Sequence, residues 1–391
     1  MEFTKTYSEL KQIFSLNREK MRIDGSDAEI RVMQFTSNSS LILPSNGIAE
    51  QTYYHQAIAT NDGSIAENKL FSYPVFIPNS NQIHSKAIIL LHGLNERSWL
   101  KYLPWAYYLS LHTNRPVILF PISFHMNRSP GLWANPRAMM PLLGNRQEKN
   151  EQNMSSVANA ALSQRLSDDP LRFFSSGKQT AEDLVQLLET IKQGKYPFLA
   201  ENTRVDFFSY SIGAFLSQIL FLANPKNLFS NSKLFLFCGG ALFSEMFGTS
   251  RFIMDSVAFT SLRKYYLNDF LQELKIDTPF SAYIKKSELG KAFLAMLAPE
   301  CNKTFRETRL QELSGQIQAI TLKKDKVIPS TYVHLTFSSV KNRFRGMVQE
   351  LDFPHSYTHE MPFPILNGSK SEQVDQSFRN VFEPAITFLN G

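Results

Sequence analysis

The chain has 391 residues, which is enough for one enlarged domain or for a domain with an insertion. Apolar residues make up 43% and charged residues 19%, so the composition is that of a folded protein and excludes a disordered one. The net charge of +6 is small for this length, and no basic run is interleaved with aromatics, so we expect no nucleic-acid partner.

The two cysteines, Cys238 and Cys301, are too few for a disulfide framework and do not form a CxxC metal motif. The N-terminus carries acidic residues and lacks the apolar stretch of a signal peptide. No window reaches the ~18 apolar residues of a membrane span. These patterns predict a cytoplasmic protein without an integral membrane segment.

Residues 1–48 are predicted to form an N-terminal extension, with a helix over 7–20 and then a loop rich in Ser, Asn and Gly. From residue 49 onward, strands alternate with helices. Apolar or alternating runs predict strands at 51–59, Leu70–Ile77, 87–91, 116–120, 205–208, 233–237, Ile317–Leu322 and 346–351. Apolar spacing near 3.6 residues predicts helices at 98–111, 179–192 and 374–389.

Two long segments interrupt this alternation. Residues 122–170, with several prolines and arginines, predict a long irregular loop. Residues of about 246–312 show helical periodicity and predict a helical cap inserted between two strands. The whole pattern predicts an α/β domain over 49–391, with a mostly parallel central sheet and helices on both faces.

One short motif indicates a candidate nucleophile. The strand at 205–208 runs into Ser209-Tyr-Ser-Ile-Gly213, and an apolar helical pattern follows at once. A strand, a sharp turn and a helix would expose Ser211 at the apex, as in a nucleophile elbow of the G-x-S-x-G type. Ser209 stands where the first glycine is usual, and a small residue there still allows close packing.

With this motif the chain resembles the α/β-hydrolase superfamily over residues 50–391. A second matching piece is His92-Gly93-Leu94-Asn95, directly after the buried strand at 87–91. The resemblance implies that the backbone N–H of Leu94 or Asn95, together with that of Ile212, forms an oxyanion hole.

The resemblance also supplies an acid and a base, in the chain order serine, acid, histidine. It implies Asp325, just beyond a predicted strand, as the acid, although its three neighbouring lysines would also suit a solvated turn. Glu245 is an alternative acid. It implies His359, after the last strand, as the base, with His355 as the alternative. The two histidines are spaced for metal binding, but the H-E-x-x-H order is absent, so we predict no metal.

These residues predict a serine hydrolase that cleaves an ester of a small molecule with an apolar portion, without any cofactor. The cap would shape its pocket, and Tyr210, Arg128 and Trp133 are predicted to contact the substrate. A peptidase, an amidase or an acyltransferase could use the same triad. A catalytically silent hydrolase-like binding protein is the alternative from another class. The sequence does not give the oligomeric state.

Overall fold

The computed structural model describes residues 2–39, 62–79, 81–147, 153–338 and 347–391. Their strands form one nine-stranded sheet. The strands are β1 (Lys20–Arg22), β2 (Glu29–Thr36), β3 (Leu70–Ile77), β4 (His84–Leu91), β5 (Val117–Leu119), β6 (Leu199–Tyr210), β7 (Leu234–Phe237), β8 (Ile317–Leu322) and β9 (Val348–Leu351). The strand predicted at 51–59 lies outside the described residues.

The strand order is β1-β2-β3-β5-β4-β6-β7-β8-β9. The six strands from β5 to β9 in this order run parallel, whereas β1, β2 and β3 join them through antiparallel pairs. The chain therefore starts at one edge of the sheet, places β4 and β5 in exchanged order, and adds β6 to β9 one after another up to the opposite edge. The mostly parallel central sheet of an α/β fold, predicted from the sequence, is confirmed.

The N-terminal region differs from its prediction. Strand β2 pairs along its whole length with β3, in a register that sets Val32 opposite Pro74. Residues 1–48, predicted as an extension outside the sheet domain, thus contribute two strands to the sheet, and the predicted boundary is corrected. The alternation in β2 is interrupted by the half-buried Arg31, whose guanidinium pairs with the buried Glu29.

Helices cover both faces of the sheet. They are α1 (Phe3–Ile13), α2 (Ala66–Lys69), α3 (Leu103–Thr113), α4 (Pro136–Gln147), α5 (Ala160–Asp168), α6 (Leu171–Lys192), α7 (Ile212–Ala223), α8 (Ser256–Lys264), α9 (Phe270–Glu273), α10 (Pro279–Lys286), α11 (Glu288–Ala295), α12 (Lys303–Glu312), α13 (Ser330–Ser338) and α14 (Ser369–Asn390). Within the described ranges, none of them has the length and apolar character needed to cross a bilayer.

Two apolar cores lie on opposite faces of the sheet because side chains of a strand alternate. In β6, Phe208 stacks on Phe382 of α14, with ring centroids 5.1 Å apart. The preceding Phe207 contacts Phe221 of α7 on the other face, with centroids 5.6 Å apart. Helices α1, α3 and α14 pack on the first face, and α6, α7 and α11 cover the second.

The segment 122–170 is more ordered than its prediction. It contains α4 and α5, and α4 begins at Pro136, a residue suited to the first position of a helix. Arg146 of α4 forms a two-point ion pair with the buried Asp255, with N–O distances of 2.5 and 2.7 Å. Asp255 also caps α8, since its carboxylate accepts the N–H of Ala258. This pair joins the segment to residues 246–312, which carry α8 to α12.

Candidate active site

The turn between β6 and α7 is tight and strained. Ser211 has φ 57° and ψ −120°, a backbone conformation that is unfavourable for a residue with a side chain. The first turn of α7 packs against the end of β4, where the N–H of Gly213 donates to the carbonyl of His92 at 3.2 Å. A Cβ atom on Gly213 would lie 2.7 Å from the Cβ of Leu91. Glycine is therefore required for this approach.

Ser209 fits the position where a glycine is usual. Its side chain is fully buried, and its hydroxyl forms a hydrogen bond of 2.6 Å with the hydroxyl of Ser217 in α7. Ser217 in turn donates to the carbonyl of Gly213 at 2.8 Å. The hydroxymethyl group of Ser209, which a glycine would lack, is thus hydrogen-bonded between strand β6 and helix α7. The turn can therefore form with serine in place of the first glycine of G-x-S-x-G.

Three predicted site residues lie in one hydrogen-bonded chain. Ser211 Oγ lies 2.7 Å from His359 Nε2, and His359 Nδ1 lies 2.7 Å from Asp325 Oδ2. The three residues are 5%, 3% and 4% exposed, so bulk water does not compete for these bonds. Because Nδ1 faces a carboxylate, the geometry favours the tautomer that leaves Nε2 free to accept the hydroxyl proton.

Asp325 is held firmly despite its lysine neighbours. It follows β8, and its Oδ1 accepts the backbone N–H groups of Val327 and Ile328 at 2.8 and 2.9 Å. Its Oδ2 faces His359. The flanking Lys323 and Lys324 point to solvent, with side chains 64% and 59% exposed. The carboxylate is thus fixed in orientation, and the solvated-turn interpretation does not describe it.

Tyr210 holds the loop that carries His359. Its hydroxyl donates to the backbone carbonyl of His359, and the two rings stack with centroids 5.5 Å apart. The residue is 1% exposed and packs against Trp105. Tyr210 was predicted to contact the substrate. Tyr210 is buried in this packing and does not line the cleft described below, so that prediction is corrected.

His355 and Glu245 lie apart from this chain of hydrogen bonds. His355 Nε2 donates to the carbonyl of Pro362 at 3.0 Å, and its ring stacks on Phe353. Its Nδ1 lies 3.4 Å from the hydroxyl of Ser377 in α14. Glu245 accepts a bond from its neighbour Ser244. Neither side chain is brought to Ser211.

The turn after β4 is rigidly built. His92 Nδ1 donates to the carbonyl of Gly93 at 2.8 Å, and Nε2 accepts the N–H of Ile122 at 2.9 Å. Burial, with a smaller contribution from nearby His125, lowers the pKa of His92 well below its usual value, so the ring is neutral. Asn95 has φ 62°, and its amide donates to the carbonyls of Ala158 and Phe252.

A mainly apolar cleft of about 880 Å³, including the part open to solvent, lies beside the elbow. Leu94 of the β4 turn and Ile212 of α7 both line it. Ile212 is the first residue of α7, so its N–H has no acceptor within the helix. Further lining comes mostly from α5, α6, α7, α10 and α11, and includes Leu162, Leu166, Phe173, Phe174, Phe215, Leu216, Ile219, Tyr283, Leu289 and Phe293.

Arg128 and Trp133, predicted to contact substrate, are structural. Arg128 is fully buried, pairs with Asp183 of α6 at 2.7 Å and donates to the carbonyl of Pro121. Trp133 is 2% exposed, with the guanidinium of Arg165 at 4.4 Å from its ring centroid. Neither residue lines the cleft. The prediction is corrected, because each packs against partners that are distant in sequence.

Five polar or charged side chains that were not predicted as site residues line the cleft, namely His125, Arg165, Arg172, Ser176 and Lys178. A signal existed for Arg165, which follows Ala161 and Leu162 by four and three residues, the spacings that place side chains on one face of a helix. A charged residue on such a face needs a buried partner or a ligand.

One group of side chains has the composition of a metal site. Ligand atoms of Cys238, Asp325 and His359 lie within 4.8 Å of one another. However, both ring nitrogens of His359 already face hydrogen-bond partners. Burial raises the pKa of Cys238 well above its usual value, so its thiol stays protonated and is a poor ligand. The chemistry of this set fits a hydrogen-bonded triad better than a metal centre.

Solved structures similar to this chain include several hydrolases. A cold-adapted esterase from an Arctic intertidal metagenomic library is 10% identical, with 93% of this chain and 99% of that chain covered and a TM-score of 0.40. A hyperthermophilic esterase from Pyrobaculum calidifontis is 12% identical, with coverages of 98% and 90% and a TM-score of 0.43. For a putative dipeptidyl aminopeptidase IV from Bacteroides ovatus, the identity is 13%, the coverages are 92% and 36%, and the TM-score is 0.40.

No curated protein matches the chain. One family model matches residues 1–390, and its description is a family of unknown function, DUF6051. Since that match spans nearly the whole sequence, the chain belongs to the DUF6051 family.

Proposed function

We propose that this protein is a serine hydrolase that cleaves esters by acyl transfer. The observation that carries the proposal is the hydrogen-bonded chain from Ser211 through His359 to Asp325, with its serine on a strained strand-to-helix turn. A serine hydroxyl needs an adjacent base to become a nucleophile, and the base needs a third group to orient it.

In the proposed reaction, Ser211 Oγ attacks the ester carbonyl while its proton moves to His359 Nε2. Asp325 stabilises the imidazolium without taking the proton. The backbone N–H groups of Ile212 and of Leu94 or Asn95 stabilise the oxyanion, each by roughly 3–4 kcal/mol. His359 then protonates the leaving alkoxide. Water, deprotonated by the same histidine, attacks the acyl-enzyme and releases the acid.

The cleft supports a substrate with an apolar portion. It begins at Leu94 and Ile212, and its walls are largely aliphatic and aromatic. Burying one methylene contributes about 0.8 kcal/mol, so successive methylenes of an acyl chain should each strengthen binding until the cleft is filled.

A fluorophosphonate probe tests the nucleophile. Wild-type protein should be labelled covalently, and Ser211→Ala should not. Ser209→Ala is the matched control, because that hydroxyl lies in the same pentapeptide but bonds to Ser217. It should be labelled like the wild type. Labelling of Ser211→Ala at the wild-type rate would refute the proposal.

A second assay separates the ester reaction from its alternatives. Nitrophenyl esters of increasing acyl length should be hydrolysed with rising kcat/KM, and the matching anilides much more slowly. Faster cleavage of the anilides would identify an amidase or a peptidase. Acyl transfer to an added alcohol in preference to water would identify an acyltransferase. A protein that is neither labelled nor active would be the silent binding protein.

A further inference from the structure

The cleft has more positive than negative charge among its described residues. Arg165 Nη2 lies 2.6 Å from Asp62 Oδ1, and Arg172 Nε lies 3.4 Å from Asp62 Oδ2. Two guanidinium groups thus share one buried carboxylate. Lys178, which also lines the cleft, has its own partner, Glu182, at 2.6 Å. Asp168 also attracts Arg165 electrostatically, but it is exposed and accepts a bond from Gln164.

Arg165 also has a donor without an acceptor. Its side chain is 4% exposed, and its Nη1 is buried without a hydrogen-bond partner within the described ranges. The guanidinium is held in place by the rings of Trp133 and Phe124, at 4.4 and 5.1 Å. An unsatisfied buried donor costs about 1–3 kcal/mol, more for a charged group, so a bound acceptor would remove a real penalty.

A second arginine close by strengthens this observation. The Arg97 guanidinium lies 5.8 Å from the centre of the same Trp133 ring. Burial, with a contribution from Arg165, lowers the pKa of Arg97 to about 10. Its Nε also lacks a partner among the residues that the structure describes. Like charges held together in an apolar setting favour an anion from outside.

We propose that the substrate is a carboxylated ester, whose apolar portion bears a carboxylate that binds Arg165 while the ester carbonyl lies at Ser211. This inference rests on the proposed hydrolase function. A carboxylate suits the planar guanidinium, which donates two parallel hydrogen bonds. The other polar lining groups are less suited. Lys178 is already paired, and His125 presents an acceptor, since its Nδ1 donates to the carbonyl of Ser123.

Two esters of the same length test the inference. One is the mono-nitrophenyl ester of a dicarboxylic acid, and the other has its free carboxylate capped as a methyl ester. Wild-type protein should prefer the charged ester by at least tenfold in kcat/KM, mainly through KM. Arg165→Gln should lose most of this preference, measured as the ratio of the two kcat/KM values in the same preparation, whereas Arg165→Lys should keep part of it.

Two further measurements guard against a variant that does not fold. Arg172→Gln leaves the Arg165–Asp62 pair intact, and it should reduce the preference less. Binding can be measured without turnover, because Ser211→Ala should be stabilised against heat by the free dicarboxylate but not by its diamide.

The two proposals fail in different ways. If wild type hydrolyses both esters equally, and the dicarboxylate does not stabilise Ser211→Ala, the carboxylate inference is overturned and the hydrolase proposal stands. If the dicarboxylate binds through Arg165 while no ester is hydrolysed and no probe reacts, the hydrolase proposal fails and the anion site remains.

Discussion

His355 and His359 show how two residues of one type, four positions apart, take different surroundings. His359 faces a hydroxyl on one side and a carboxylate on the other. His355 faces a backbone carbonyl and packs against Phe353 and Ser377. The first environment holds a proton acceptor at Ser211, and the second anchors the loop to α14.

These environments predict opposite effects of two substitutions. His359→Ala should lower kcat by about 10³-fold or more, with little change in KM, because the base acts in the transition state. His355→Ala should leave turnover within a few fold and reduce the free energy of unfolding by about 1–3 kcal/mol, since it leaves a buried acceptor unpaired. Ester hydrolysis and urea unfolding measure the two effects. The reverse pattern would make His355 the base.

The sequence predicts site residues where a strand end determines position. Ser211, Asp325 and His359 each follow a predicted strand, and parallel strands bring their carboxyl ends to one edge. The sequence could not predict the structural role of Arg128, because no neighbouring residue in the sequence indicates that this arginine pairs with Asp183 fifty-five residues later. For Arg165 the position on the apolar helix face was a signal, but its partner Asp62, 103 residues earlier, could not be identified from the sequence.

At the level of elements, the elbow depends on how closely α7 approaches β4. Gly213 allows this approach, because a Cβ atom at this position would collide with Leu91 and with the carbonyl of His92. The positions of Ser211 and of the Ile212 N–H therefore depend on the contact between Gly213 and β4, although neither of these two residues takes part in it.

Gly213→Ala should disturb this contact. The added Cβ would lie 2.7 Å from Leu91 Cβ and 2.9 Å from the His92 carbonyl oxygen, so strand and helix must separate. We expect a loss of about 1–3 kcal/mol in the free energy of unfolding, together with reduced kcat.

Gly144→Ala in α4 is the matched control, because a Cβ there would meet nothing within 4 Å. It should be neutral or stabilise by up to about 1 kcal/mol, since alanine favours a helix. Equal stability and activity of the two variants would refute the argument.

The prediction of elements succeeded for strands in which apolar residues alternate with or outnumber polar ones. Strand β3 was predicted with its observed bounds, Leu70–Ile77, and strand β8 with Ile317–Leu322. It failed where polar residues dilute the pattern, as in β2, or where prolines suggest a loop, as at the start of α4. In both cases contacts with distant parts of the chain outweigh local preference.

For the whole molecule, burial of histidines couples stability to pH. Burial lowers the pKa of His125 to about 3 and that of His92 well below its usual value. The unfolded chain takes up these protons near pH 6.5 and the folded chain does so only at much lower pH. Unfolding therefore takes up protons in this window, so the free energy of unfolding falls as pH drops below about 6.5.

The variant His125→Asn isolates one of these protons. Asparagine can still donate to the Ser123 carbonyl but does not titrate. Between pH 7 and pH 5, wild type should lose about 2 kcal/mol more free energy of unfolding than the variant. Urea unfolding at the two pH values measures this difference. Burial also raises the pKa of Asp183, which contributes in the opposite direction, but this contribution is the same in both proteins and cancels. Equal losses of unfolding free energy in the two proteins would show that folding does not lower the pKa of His125.

The ion pair between Arg146 and Asp255 has a consequence for how two segments distant in the sequence move. It fastens α4 to the start of α8, and both atoms of the carboxylate are used. Removing one partner of a buried pair of this kind leaves an uncompensated charge and costs about 3–5 kcal/mol. We therefore expect α4 and the start of α8 to move together at this junction rather than as two independent segments.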